Sequence, residues 1–170
     1  MTWRRLACAS VVLALSCTSV TINERPVILL PLGVDAADAR AAIVLDLARQ
    51  TFPAPLPPGV RVPEATLAAV VGDRPLYPGE KVTGWYPESL ESNVVNAGYK
   101  HGRNHYLRAA IFIDDRGVRT SIVQSQGMNQ TGASIHRGAF VWLSELEERI
   151  RGALSRMAEV RRASAPGKAG

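Results

Sequence analysis

The sequence is short of the residues from which most active centres are built. It contains only two cysteines and three histidines. None of them falls in the paired spacing of a structural zinc site. There is also no glycine-rich phosphate loop and no strand-to-helix serine elbow with an orienting acid. His101 and His105 are four apart, a spacing that suits metal ligation on a helix, but they flank a glycine-containing turn between two strand-like runs. No metal, no cofactor and no catalytic group is therefore expected. The most apolar stretch, Leu6 to Leu15, is about half the ~20 residues a membrane-spanning helix needs, so no permanent span is predicted. Charge of one sign is scarce as well. The net charge is +5, of which Arg4 and Arg5 supply two, and the remaining basic residues are scattered. Arg156, Arg161 and Arg162 form the one small cluster, where a helix end welcomes positive charge. No nucleic-acid partner is expected.

What the first residues do contain is an address. Two arginines, an apolar stretch and small residues at Ser16 and Cys17 have the order of a signal peptide over 1–16. Leu13-Ala14-Leu15-Ser16-Cys17 resembles the bacterial lipobox, which implies lipidation of Cys17 and its exposure as the first mature residue. An ordinary secretory signal would instead leave Cys17 as a plain thiol. Cys8 departs with the signal, so the mature chain keeps one cysteine and forms no internal disulfide. The roughly 150 residues that remain suffice for one core without covalent staples. Thr18, rather than an acidic residue, follows the cysteine. By resemblance to enterobacterial sorting this implies the outer membrane, facing the periplasm.

The mature chain divides into a lipidated N-terminus and tether at 17–34, one domain at 35–162 with a proline-rich insertion at 53–83, and a disordered tail at 163–170. Pro26 to Leu32 reads as an edge strand bracketed by prolines. Asp35 can cap a helix running to about Thr51, with Ile43, Val44, Leu47 and Ala48 as its apolar stripe and Phe52-Pro53 as its stop. Pro63 can open a short helix that Gly72 closes. Val95, Ala97 and Tyr99 alternate on one strand, and Leu107, Ala109, Ile111 and Ile113 on the next. After the turn Asp114 to Gly117, Val118, Thr120 and Ile122 follow on a third. Asn96, Arg108, Arg119 and Ser121 fall on the opposite face. From a Ser134 cap, Ile135, Ala139, Trp142, Leu143, Leu146, Ile150, Leu154 and Met157 recur at helical steps, with Glu145, Glu148, Arg149 and Arg151 outward. The pattern predicts an α+β two-layer sandwich: a three- to four-stranded antiparallel sheet covered on one face by two helices, with Trp142 in the core.

Several of these residues resemble a family of short proteobacterial envelope lipoproteins made of a helix, three strands and a closing helix. Ser125, Met128, Gly132, Ile135, His136, Trp142, Leu146 and Ile150 match its closing pattern. Gly84-Trp85, Ala97 and Ala42-Ile43 match its earlier part, so the likeness covers most of 35–154. Gly127 and Ala139-Phe140 depart from the family's polar residues, and 53–83 is an insertion. The resemblance implies fold and envelope location and assigns no chemistry.

Candidate contact residues are few. His136, near Ser125 and Asn129 in sequence, can bind a ligand or shuttle a proton, or tie a loop to the helix through one ring nitrogen. Trp85 and Tyr86, with the proline-rich insertion, form the best candidate partner surface. Three functions compete. The first is a non-enzymatic interaction or scaffold module contacting an envelope protein or the cell wall. The second is a periplasmic small-ligand or metal binder centred on His136, and the third is a hydrolase, for which Ser125 and His136 lack an orienting acid.

Overall fold

The computed structural model describes residues 25–52, 56–57, 59–72, 84–101, 105–126 and 138–165 and, at 101, 105 and 124–126, the backbone alone. Four strands form an antiparallel meander in the order β1 (Gly84–Leu90), β2 (Val94–His101), β3 (His105–Asp114) and β4 (Gly117–Gln126). The alternation of β2 and β3 holds: Val95, Ala97, Tyr99, Leu107, Ala109, Ile111 and Ile113 are all buried beneath the helices, joined by Val118 and Thr120 of β4. Gly117 closes the β3–β4 turn with φ 137°. A Cβ there would lie 2.5 Å from the Ile28 carbonyl oxygen, so both backbone angle and space demand glycine.

The helices supply the second layer. Helix α1 (Ala36–Leu47) starts where the Asp35 carboxylate accepts the Asp38 backbone N–H at 3.0 Å. It stops earlier than the sequence pattern implies. Arg49 adopts φ 54°, and the Gln50 N–H reaches back to the Leu45 carbonyl at 2.8 Å. This left-handed closure ends the helix before Phe52. Nine of its 12 residues are buried, the charged Asp38 and Arg40 among them, so the helix lies inside the domain. Arg40 ties it outward, donating to the Ser92 carbonyl at 3.1 Å and to Glu64 at 2.8 Å.

Helix α2 (Glu64–Gly72) begins after Pro63, whose carbonyl accepts from Thr66 at 2.9 Å, and buries Leu67 and Val70. The proline-rich insertion therefore contributes to the core, and α2 joins the two expected helices, α1 and α3, in completing it. Helix α3 (Ala139–Ser164) buries Leu143, Leu146, Ile150, Leu154 and Met157 against α1 and the sheet. Ion pairs fix it antiparallel to α1: Arg149 and Arg156 bind Asp46, and Arg161 binds Asp38. The expected Ser134 cap and first turn at Ile135 lie outside the described residues. Helix α3 continues to Ser164, into the stretch expected as a disordered tail from 163.

The domain also begins before residue 35. Ile28 is buried and pairs with Val118 through two hydrogen bonds of 2.9 and 2.8 Å. The strand expected over Pro26 to Leu32 is reduced to this one bridge, since both bracketing prolines lack the N–H a ladder needs. Each edge strand carries a bulge, at Glu88 in β1 and at Val123 in β4, which twists the edges away from further pairing.

Candidate functional site

Helices and core lie on one side of the sheet. The other side, formed by the alternate residues, bears Tyr86, Glu88, Asn96, Gly98, Tyr106, Arg108 and Ser121. Register explains how these meet. Gly98 sits in the middle strand between Tyr86 of β1 and Arg108 of β3. Having no side chain, it leaves a notch in the face, and the Tyr86 ring fills it: a Cβ on Gly98 would lie 2.3 Å from Tyr86 Cζ. The bulge at Glu88 turns its carboxylate across the same notch. There the Arg108 guanidinium donates to both carboxylate oxygens at 2.6 Å, and the Tyr106 hydroxyl donates at 2.9 Å. This is a two-pronged, charge-assisted arrangement, which fixes orientation as well as energy. Beside it, the Asn96 amide donates to Ser89 Oγ and Glu91 Oε1, each at 3.0 Å.

The electrostatics follow from that packing. Partial burial pushes the Glu88 carboxyl up, but the hydrogen bonds from Arg108 and Tyr106 outweigh it and hold the group below the ordinary glutamate value. Burial raises both phenols, and for Tyr86 the neighbouring Tyr106 and Glu88 add to the rise. The hydrogen bond to Glu88 raises Arg108. At neutral pH the cluster is thus a fixed ion pair flanked by two protonated hydroxyls. It offers shape, hydrogen bonds and aromatic surface rather than a group poised for proton transfer.

Filling the notch should disturb all of it. Gly98→Ala forces the Tyr86 ring from its seat and is expected to cost about 1 to 3 kcal/mol, read as a lowered urea midpoint. An unchanged midpoint would mean that the ring does not hold this face together.

The residues singled out from sequence fare differently. Trp85 and Tyr86 are each 2% exposed, so they do not form the accessible partner surface expected of them. Strand alternation sends Trp85 into the core and Tyr86 into the Gly98 notch. The Trp85 indole N–H donates to the Trp142 carbonyl at 2.9 Å. Its ring tilts against Tyr99 at 5.2 Å, and Tyr99 in turn stacks on Trp142 at 4.8 Å. Trp142, expected at the centre of the core, is only half-buried at its margin. Ser125 is in β4, paired with Leu107 of β3. Cys17, Asn129 and His136 lie outside the described residues. His101 and His105 are partners in the backbone register at the β2–β3 junction. Among the described residues, no group of three or more His, Cys, Asp or Glu side chains is placed to hold a metal, and no helix is long and apolar enough to cross a membrane.

Sequence reasoning placed Arg108 and Asn96 on the polar face but missed Glu88, Tyr106 and Gly98 as their partners. Tyr106 was available from the same alternation, two residues before Arg108. Glu88 was not, because a bulge has no periodic signature. Comparison with family models, with curated proteins and with solved structures finds no match to this chain.

Proposed function

We propose that this is a lipid-anchored envelope protein whose small α+β domain is a non-enzymatic interaction module, held by Cys17 at the outer membrane and facing the periplasm. The signal-like start and the Leu13 to Cys17 pattern support the anchor. The observation that carries the interaction reading is the sheet face opposite the helices, over which none of the described helices packs. Glu88, Arg108 and Tyr106 are already locked together there before any partner arrives, so little side-chain freedom is lost on docking. Its partner is an envelope protein or the cell wall, met through hydrogen bonds and apolar contact. The resemblance to short envelope lipoproteins supports the same location.

Two measurements test the two halves. Cys17→Ser should abolish fatty-acid labelling and move the protein from the membrane to the soluble fraction. Membrane retention without any incorporated label would remove the anchor from the reading. For the face, a photo-crosslinker at exposed Ser121 should capture a discrete partner in native membranes, and Arg108→Ala should abolish that capture. Capture that survives Arg108→Ala but disappears with His136→Gln would transfer the function to a site centred on His136.

A further inference from the structure

The N-terminal segment passes the β3–β4 turn at Ile28 and reaches the close of α3 at Pro31 to Gly33, and exposed aliphatic side chains lie along it. Of six large hydrophobic side chains exposed among the described residues, four are Val27, Leu29, Leu32 and Val60. Leu32 belongs to a shallow, mainly apolar cavity of about 650 Å³, bounded by Pro31 to Gly33 and Gly59 on one side and by Ala158, Arg161 and Arg162 of α3 on the other; Val27 and Leu29 precede it on the same segment, and Val60 follows Gly59. Leu32 lines this cavity yet is 97% exposed, and Leu29 is 75% exposed. Aliphatic side chains so placed are unfavourable in water and favourable against an apolar partner.

The charges at this end are mixed. Asp35 and Asp38 are paired with Arg61 and Arg161, and Glu159 is exposed on α3. Arg162 is exposed on the cavity wall, its Nε donating to the Ala158 carbonyl at 3.3 Å. An aliphatic rim beside an exposed guanidinium matches acyl chains beneath anionic headgroups.

Covalent reach agrees. Only eight residue steps separate Cys17 from Arg25, at most about 28 Å of extended chain. Arg25 is itself clamped to α3 through Glu147 and Ser144, and the chain then runs past Ile28 to Leu32. The exposed aliphatics therefore follow directly on the tether. A domain held this close to a bilayer needs little intrinsic affinity to lie against it.

We propose that this end of the domain rests on the phospholipid bilayer, with Leu29 and Leu32 entering the acyl boundary and Arg162 at the headgroups. The orientation rests on the lipid-anchored reading of Cys17, and it leaves the Glu88–Arg108 sheet face accessible from the periplasm.

The test uses the mature protein, carrying Leu32→Trp or Ser121→Trp, on vesicles of phosphatidylethanolamine and phosphatidylglycerol brominated along their acyl chains. Trp85 and Trp142 give the same background in both. The expected result is loss of the added emission from Leu32→Trp and none from Ser121→Trp. Equal emission from both, with the protein vesicle-bound, would overturn the proposal, as would stronger quenching at 121. Fatty-acid labelling of Cys17 is scored separately. If the label is absent, the same quenching measured on vesicle addition still decides the face, so failure of the anchor and failure of the orientation are told apart.

Discussion

Trp85→Ala should lower stability by about 3 to 5 kcal/mol, whereas Trp142→Ala should cost only about 1 to 2 kcal/mol. The contrast comes from where each indole sits. Trp85 is among the largest fully buried side chains, and its removal empties a volume bounded by Tyr99 and the helices. It also leaves the Trp142 carbonyl without the indole N–H that it accepts at 2.9 Å. Trp142 gives that bond through its backbone, which a change of side chain preserves. What its ring adds is the stack on Tyr99 and partial burial at the core margin. Urea denaturation of both variants checks the order. Trp85→Phe refines it: most of the volume stays while the hydrogen bond goes, so a loss of about 1 to 2 kcal/mol is expected. If Trp142→Ala proved the more damaging, the closing helix would be rotated from the arrangement described above.

That ordering reverses the sequence-based expectation, and the reason is instructive. A helical wheel reports which side of α3 is apolar, and Leu143, Leu146, Ile150 and Leu154 do lie inward. It does not report how far along the helix the sheet extends. Trp142 lies near the start of α3, at the margin of the core, and is partly covered, while Ala139 and Leu143 beside it are buried. Trp85 was harder to place because Pro87 and the polar pair Glu88-Ser89 disguise β1 as a loop. An edge strand tolerates proline on its unpaired side, so the disguise is compatible with pairing to β2. The β2–β3–β4 meander was legible because period-two alternation survives there for up to ten residues at a stretch.

Polar side chains were less legible than apolar ones for the same physical reason. Burial patterns identify a face, while partners depend on register and bulges. Arg108 was assigned to the right face, but its carboxylate partner comes from a bulged position 20 residues earlier. Asp38, in the first turn of α1, is a charge favourable to the start of the helix. It is in addition the 5%-exposed partner of Arg161, 123 residues away, a pairing that no local pattern encodes. Glu147 is the clearest case, a charge on the buried stripe of α3 between Leu146 and Ile150 that the helical pattern leaves without a role.

Glu147→Ala should cost about 3 kcal/mol, at the lower end of what breaking a buried ion pair costs, because Arg25 remains 21% exposed and can rehydrate. In the intact protein the carboxylate accepts from Arg25 Nε at 2.8 Å and Nη2 at 2.7 Å, and from the buried Thr120 hydroxyl at 2.7 Å. It thus joins the N-terminal segment, β4 and α3 at one point. Its loss should also loosen the Ile28–Val118 bridge, seen as faster amide exchange at both residues. Replacing the pair together, Arg25→Met with Glu147→Leu, should recover most of the stability, since the two apolar side chains need no partners. Acid provides an independent reading. Burial pushes the Glu147 carboxyl up, but the hydrogen bonds from Arg25 and Thr120 prevail and hold it below its ordinary value of 4.5. The unfolded chain therefore takes up this proton first as pH falls. The contribution is complete above about pH 4.5 and is lost as pH drops through the folded-state value. Glu147→Gln should accordingly flatten the acid limb of the stability curve without removing it, because Glu88 and Asp114 are lowered too. An acid limb identical to that of the unsubstituted protein would show that Arg25 and Glu147 are not paired in solution.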